Sequence, residues 1–129
     1  MSITHSIDHA GRRLLTVAEG PVTYSDVVAH LDQERDDKGL PLPELIEATR
    51  ASANFGAAEV HKIVEKLRDL GENSALGPTA VVVGNDVTYG IIRMLEILVE
   101  DVCDVRPFRT QTEAEEWLDT MPTPRPPAR

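Results

Sequence analysis

Several groups of residues have types and spacings that chemistry can use. The first is the segment from Val81 to Met94, VVVGNDVTYGIIRM, an apolar run leading through two glycines into an apolar-periodic helix. Backbone N–H groups at such corners cradle phosphates in many α/β proteins. A phosphate loop of the Walker type needs four residues between its glycines, then Lys and Ser or Thr. Here five residues separate Gly84 from Gly90, Ile91 and Ile92 follow, and no lysine is in place. A dinucleotide fingerprint also fails, because a single residue should separate its first two glycines. The segment therefore reads as a strand-to-helix corner: Gly84 ends the strand, and Asp86 or Thr88 caps the helix.

A corner of this kind still lies where ligands of open α/β sheets gather, beyond the carboxyl ends of the strands. The preceding strand ends nearby and adds Glu47, Thr49, Arg50, Ser52 and Asn54, while Asp86, Tyr89 and Arg93 come from the corner and its helix. The ligand-binding candidates are Glu47, Arg50, Ser52, Asp86, Tyr89 and Arg93. Arg93 has two uses: holding a carboxylate or phosphate through both arms of its guanidinium, or pairing with Glu47 or Glu96.

The histidines give no metal site. His30 with Glu34, and His61 with Glu65, have helical i, i+4 spacing. No third ligand accompanies either pair in sequence, and such pairs are commonly solvated surface contacts. His5 and His9 flank an opening hairpin, so the four histidines are expected not to cluster. Cys103 lies between Asp101 and Asp104, whose charges raise a thiol pKa and argue against a nucleophile. No Ser-His-Asp arrangement is recognisable. The expectation is a protein without catalytic residue, metal or cofactor, and an enzyme using Tyr89 or Glu47 as acid or base ranks last.

The whole chain narrows the classes further. Its 129 residues fit one domain with an ordinary core. Thirteen Lys plus Arg against 22 Asp plus Glu give a formal net charge of −9. Such a surface repels nucleic acid and anionic membrane. A lone cysteine cannot form an internal disulfide, and no leader pattern opens the chain, so the expected compartment is the cytoplasm. No apolar stretch is long enough to span a bilayer.

The elements that must position these residues follow from periodicity. Ile3 to Ile7 and Leu14 to Ala18 alternate as two strands of a hairpin turned at His9-Ala10-Gly11. Thr23 and Asp26 form a capping box for a helix carrying Val27, Val28 and Leu31, expected to fade through Asp32 to Lys38. Leu40-Pro41-Leu42-Pro43 is a stiff connector into a short strand, Glu44 to Ala48. Val60, Ile63, Val64, Leu67 and Leu70 mark the clearest amphipathic helix. Thr79 to Val83 is a strand apolar on both faces. A long helix is expected from about Thr88 to Val102, then an edge strand from Val105 to Phe108 marked by Pro107. Thr112 and Glu115 suggest the capping box of a last helix carrying Trp117 and Leu118. Residues 1–121 thus form one domain of order ββαβαβαβα. They are followed by a tail, 122–129, with four prolines in eight residues, expected to be disordered. The fold class is an α/β sandwich whose mixed, mostly parallel sheet has about five strands, with about four helices.

The helix after the glycine corner is apolar over an unusual share of its circumference. Ile91, Ile92, Leu95, Leu98, Val99 and Val102 face the sheet, and Met94 and Ile97 widen the surface. A fourth helix, an apolar groove for a lipid-like ligand, or a second copy of the chain would cover it. A homodimer through Met94 and Ile97 is the expected answer.

TAVVVGNDVTYGIIRMLE and VRPFRTQTEAEEWL together resemble the SpoIIAA-like proteins, small STAS-like bacterial domains related in fold to Sec14-type domains. The matching features are Ala80 to Val83, Tyr89-Gly90, Arg93-Met94, Phe108-Arg109, Glu113-Ala114 and Trp117-Leu118. They fall in about the last 50 residues, and the first half agrees in element order. The resemblance implies a STAS-like fold with its first strand antiparallel at one side. It implies a non-enzymatic domain binding a protein partner or a small apolar or anionic ligand. It also implies an alternative, an anti-sigma-factor antagonist switched by phosphorylation of a serine before the second main helix. Ser52, in ATRASANFG, lies in that region. The Asp-Ser pair of those antagonists is absent, since Ala51 precedes Ser52.

Overall fold

The computed structural model describes residues 2–8, 10, 12–121 and 125–128. The elements are β1 (Ser2–Asp8), β2 (Arg13–Val22), α1 (Tyr24–Asp36), β3 (Glu44–Ala53), α2 (Ala57–Asn73), β4 (Thr79–Val83), α3 (Asp86–Leu98), β5 (Val105–Phe108) and α4 (Gln111–Thr120). This is the expected order. The first and last residues of the His9-Ala10-Gly11 turn lie outside the described residues.

The sheet runs β1-β2-β3-β4-β5, with β1 antiparallel to β2 and every later neighbour parallel. Strand order never reverses. Right-handed crossovers then stack all three connecting helices on one face. That face packs α1, α2 and α3 over Ala18, Val22, Ala48, Val81, Val83 and Val105. α4 covers only part of the other, through Ala114 and Leu118 against Leu45, Ala80 and Val82. The part of this second face formed by β2 leaves Leu15 and Val17 exposed.

Local chemistry sets the helix starts. Thr23 caps α1 in a reciprocal box: Asp26 N–H donates to Thr23 Oγ1 at 3.2 Å and Thr23 N–H to Asp26 Oδ2 at 2.8 Å. Two expected caps are corrected. α3 is capped by Asn85, whose Oδ1 accepts from Thr88 N–H at 2.8 Å, and not by Asp86 or Thr88. α4 is capped by Thr110, bonded to Glu113 N–H at 3.3 Å, and not by Thr112. In both, a residue one or two positions upstream already holds the extended backbone that a cap needs. Other boundaries shift as well. β2 runs on through Gly20-Pro21 to Val22, α1 continues through its polar run to Asp36, β3 extends to Ala53, and α3 spans Asp86 to Leu98.

Gly84 has a packing reason. A Cβ there would meet the Thr49 carbonyl oxygen at 2.3 Å, so β3 and the corner after β4 approach closer than any side chain allows. Of the tail, residues 122–124 and 129 lie outside the described residues. Arg125 exchanges backbone hydrogen bonds with Leu76, and Ala128 N–H donates to Gly71 carbonyl at 2.8 Å. No helix among the described residues is long and apolar enough to cross a membrane.

Candidate site: a buried His-Glu-Glu cluster on an apolar cavity

A cavity of about 150 Å³ lies between the sheet and the three helices on its crowded face. Its origin is legible in side-chain size. The inward positions of β2 and β3 include Ala18, Ala48, Ala51 and Ala53, all of which line it. A register shift between Val17/Glu47 and Glu19/Arg50 alters the inward-outward alternation of β3. Ala48 and Ala51 therefore both reach the same cavity. Val27, Leu31, Ile63, Leu67, Ile92 and Leu95 supply the apolar walls opposite.

One end of the cavity is polar. His30 and Glu34 sit one turn apart on α1 and face inward, with Val27 and Leu31 completing the stripe. Glu44 opens β3 directly beneath them. All three are buried, as is Thr16 of β2. His30 Nε2 lies 2.9 Å from Glu44 Oε2, and Thr16 Oγ1 donates to that same oxygen at 2.6 Å. His30 Nε2 is also in ion-pair contact with Glu34 Oε1. One imidazole nitrogen carries at most one proton, so it cannot serve both carboxylates. Glu34 Oε1 is buried and has no hydrogen bond beyond that contact. The ring of His5 meets that of His30 edge-on at 5.4 Å, and His5 Nε2 lies 2.8 Å from Asp37 Oδ2.

Burial and charge pull these groups apart from their ordinary pKa values. Desolvation lowers that of His30, but hydrogen bonds and charge from Glu34 and Glu44 overcome it and carry the pKa up to about 10. Desolvation, then the Glu44 charge, raises Glu34 to about 8. Glu44 is desolvated too, yet its bonds to His30 and Thr16 hold it below the usual carboxylate range. At neutral pH the set is thus a cationic imidazole, a neutral carboxyl and a carboxylate, with no net charge.

Two expectations are corrected. The histidines were expected not to cluster, but the antiparallel return of β1 sets His5 directly opposite Thr16 in the sheet, which brings it to His30. The His30–Glu34 pair was expected to be a solvated surface contact without a third ligand. Glu44, ten residues beyond Glu34, joins it because the parallel sheet carries β3 back under α1. His61 and Glu65 border only a shallow surface hollow with Tyr24 and Lys62.

The candidates at the carboxyl edge are dispersed. Ser52 is exposed and lines the opposite end of the same cavity. Arg50 is exposed. Glu47 accepts from Thr49 N–H at 2.9 Å and from its hydroxyl. Asp86 pairs with Arg109 at 2.8 Å, whose guanidinium also lies 4.2 Å from the centre of the Tyr89 ring. Arg93 pairs with Glu96 at 2.7 Å, and Glu96 with Arg106 at 3.1 Å. Tyr89 and Arg93 share a polar hollow with these groups, apart from the cavity. The physical reason is topological. A crevice at the carboxyl edge opens where strand order reverses, and this order does not reverse. Cys103 is buried, its thiol raised to about 12 by burial and then by Asp104. On α3, Met94 is half-buried and Ile97 is 53% exposed. α4, lying on the other face of the sheet, does not cover them.

No family profile matches the chain. No curated protein matches it either. Among solved structures it is similar to an uncharacterised protein of the DUF3478 family, with a SpoIIAA-like fold, from Shewanella loihica PV-4. That likeness has a TM-score of 0.60 at 14% identity and covers 91% of this chain and 92% of the other. At that identity it carries the fold alone, and the fold is the one the corner and closing-helix residues resembled: this chain folds as a SpoIIAA-like, STAS-like α/β domain.

Proposed function

We propose that this is a non-enzymatic, cytoplasmic binding domain that takes a small, mainly apolar molecule with one neutral or cationic polar end. The observation that carries this reading is the cavity of about 150 Å³, apolar along its walls and lined at one end by His30, Glu34 and Glu44. An apolar cavity of this size accommodates a molecule such as benzene. The paired glutamates favour an alcohol or amine over a carboxylate at the polar end. Benzyl alcohol, benzylamine and benzoate, titrated by calorimetry in the presence of a chelator, test it. The first two should bind and benzoate should bind at least about tenfold more weakly, the equivalent of 1.4 kcal/mol. Equal binding of all three, or of none, overturns the reading.

Two further readings rest on other observations. Ile97 is 53% exposed beside half-buried Met94 on an apolar helix, which supports a homodimer through α3. Met94→Lys should then delay elution on sizing chromatography, and an unchanged volume removes α3 from the interface. Ser52 is exposed near the start of α2, where a kinase has access, which supports the antagonist alternative. Phosphate on Ser52 in protein from its native cell is the expected mass-spectrometric result, and unmodified Ser52 counts against it.

A further inference from the structure

We infer that His30, Glu34 and Glu44 form a binding site for one divalent transition-metal ion of the zinc class. Three features carry this beyond the cavity reading. First, one ligand atom from each of the three residues lies within 4.8 Å of the others, and all three residues are buried. Donors about 2.0–2.2 Å from a tetrahedral ion stand roughly 3.4 Å apart, so His30 Nε2, 2.9 Å from Glu44 Oε2 and nearer still to Glu34 Oε1, needs only to open slightly from both around a common centre. Second, Glu34 Oε1 is buried and has no hydrogen bond beyond its contact with His30 Nε2, the same nitrogen that faces Glu44. One imidazole nitrogen is shared between two carboxyl groups, whereas a cation placed among the three meets a lone pair of each. Third, the donor set is chemically coherent. One imidazole and two carboxylates suit zinc, manganese, cobalt or iron, and two carboxylate charges neutralise a divalent ion in a dry site.

The surroundings fit as well. Thr16 Oγ1 donates to Glu44 Oε2 at 2.6 Å and fixes that carboxylate, the kind of outer contact that orients metal ligands. The cluster lies on the cavity wall, so a fourth coordination position opens toward it. Three protein ligands and one open position is the pattern of sites that bind an exchangeable ligand.

The experiment is calorimetric titration of chelator-stripped full-length protein with zinc alone, and with cobalt followed by visible absorption. Neither needs an organic ligand, so failure here leaves the cavity reading standing, and the chelator in that test keeps the two separate. One equivalent of zinc should bind near neutral pH, and cobalt should give the visible absorption of a four-coordinate site. Glu34→Gln, which keeps the shape of the side chain, should weaken binding at least about 100-fold. His61→Ala, on the exposed helical pair, should leave it unchanged. Equal binding by Glu34→Gln, loss in His61→Ala, or no saturable binding by the wild-type protein each overturns the proposal.

Discussion

His30 Nε2 lies 2.9 Å from Glu44 Oε2, although the two residues come from a helix and a strand separated by a stiff proline connector. Glu34 joins them from the next turn of the helix, so a single cation stands between two carboxyls. The protonation of this set must be linked to folding.

Stability without metal should therefore fall as pH rises from about 5 to about 9. Glu34 is raised from 4.5 to about 8 and His30 from 6.5 to about 10. Between each pair of values the folded protein holds a proton that the unfolded chain has released. Each such proton makes stability decline by up to about 1.4 kcal/mol per pH unit. Glu44, held low, acts in the opposite sense, and its contribution is lost only as pH falls below the carboxylate range. The groups facing the set are Thr16, His5 and, through His5, Asp37. Urea unfolding in chelator across this range checks it. Glu34→Gln should flatten the acidic half of the slope and leave the part due to His30.

His30→Leu should destabilise the protein by about 3 kcal/mol at pH 8, because it leaves two buried carboxyls facing each other without a cation. The loss should shrink at pH 5, where both can hold protons. Replacing all three residues at once, with His30→Leu, Glu34→Met and Glu44→Met, should restore much of the stability, since well-packed apolar groups often substitute for buried ion pairs without loss. If the triple variant is worse than the sum of the single ones, the cluster is a net stabiliser, contrary to this reasoning.

The order of elements was legible in the sequence because each element declared itself locally. Thr23 with Asp26 announced α1, the Val60 to Leu70 stripe announced α2, and the doubly apolar Thr79 to Val83 announced a covered strand. The cluster was not, because its members are brought together only by topology. His5, Thr16, His30 and Glu44 come from four elements. A glutamate at the start of a strand looks like any solvated end until the neighbouring strand and helix are placed. One signal was available: Val27, His30, Leu31 and Glu34 share a helical stripe, so two ionisable groups had to face inward if that helix packed at all. The Gly84 corner was legible. Its glycine spacing and missing lysine excluded a phosphate loop of the Walker type, and the chain turns there from β4 into α3, with Gly84 packed against the β3 backbone.

Gly84 and Gly90 should accordingly respond oppositely to alanine. At Gly84 a methyl group would sit 2.3 Å from the Thr49 carbonyl oxygen, which is backbone and cannot swing aside. Gly84→Ala should cost about 2 kcal/mol or more through displacement of β3 from the corner. Gly90 lies within α3 with nothing near its missing Cβ. Gly90→Ala should stabilise by about 0.5–1 kcal/mol through helix propensity alone. Denaturant midpoints of the two variants decide the matter, and a neutral Gly84→Ala would mean that the corner is loose enough to relax.

Arg93→Ala separates pairing from ligand binding at the carboxyl edge. The side chain is 54% exposed and bonded to Glu96 at 2.7 Å. Exposed i, i+3 pairs contribute little to stability, being screened by solvent. Glu96 keeps Arg106 as a second partner at 3.1 Å, so even that loss is cushioned. Thermal unfolding of Arg93→Ala should match the wild type within about 2 °C, and benzyl alcohol should bind both equally, because Arg93 does not line the cavity. A drop in that binding would move the site toward the carboxyl edge.

Filling the cavity tests whether its walls matter apart from its polar end. Ala51 is buried and lines the cavity roughly 20 Å along β3 from Glu44. Ala51→Leu adds apolar volume where the alanines left space, and should raise stability by up to about 1 kcal/mol. Benzyl alcohol held at the glutamates is too short to reach Ala51, so its binding should stay within about twofold of the wild type, less than about 0.4 kcal/mol. Zinc uptake should persist, since His30, Glu34 and Glu44 keep their places at the far end. Loss of both together would mean that α1 moves when the cavity is filled, and that the apolar walls and the polar end behave as one unit. Loss of benzyl alcohol binding alone would place the ring at the alanine-lined end, away from the cluster.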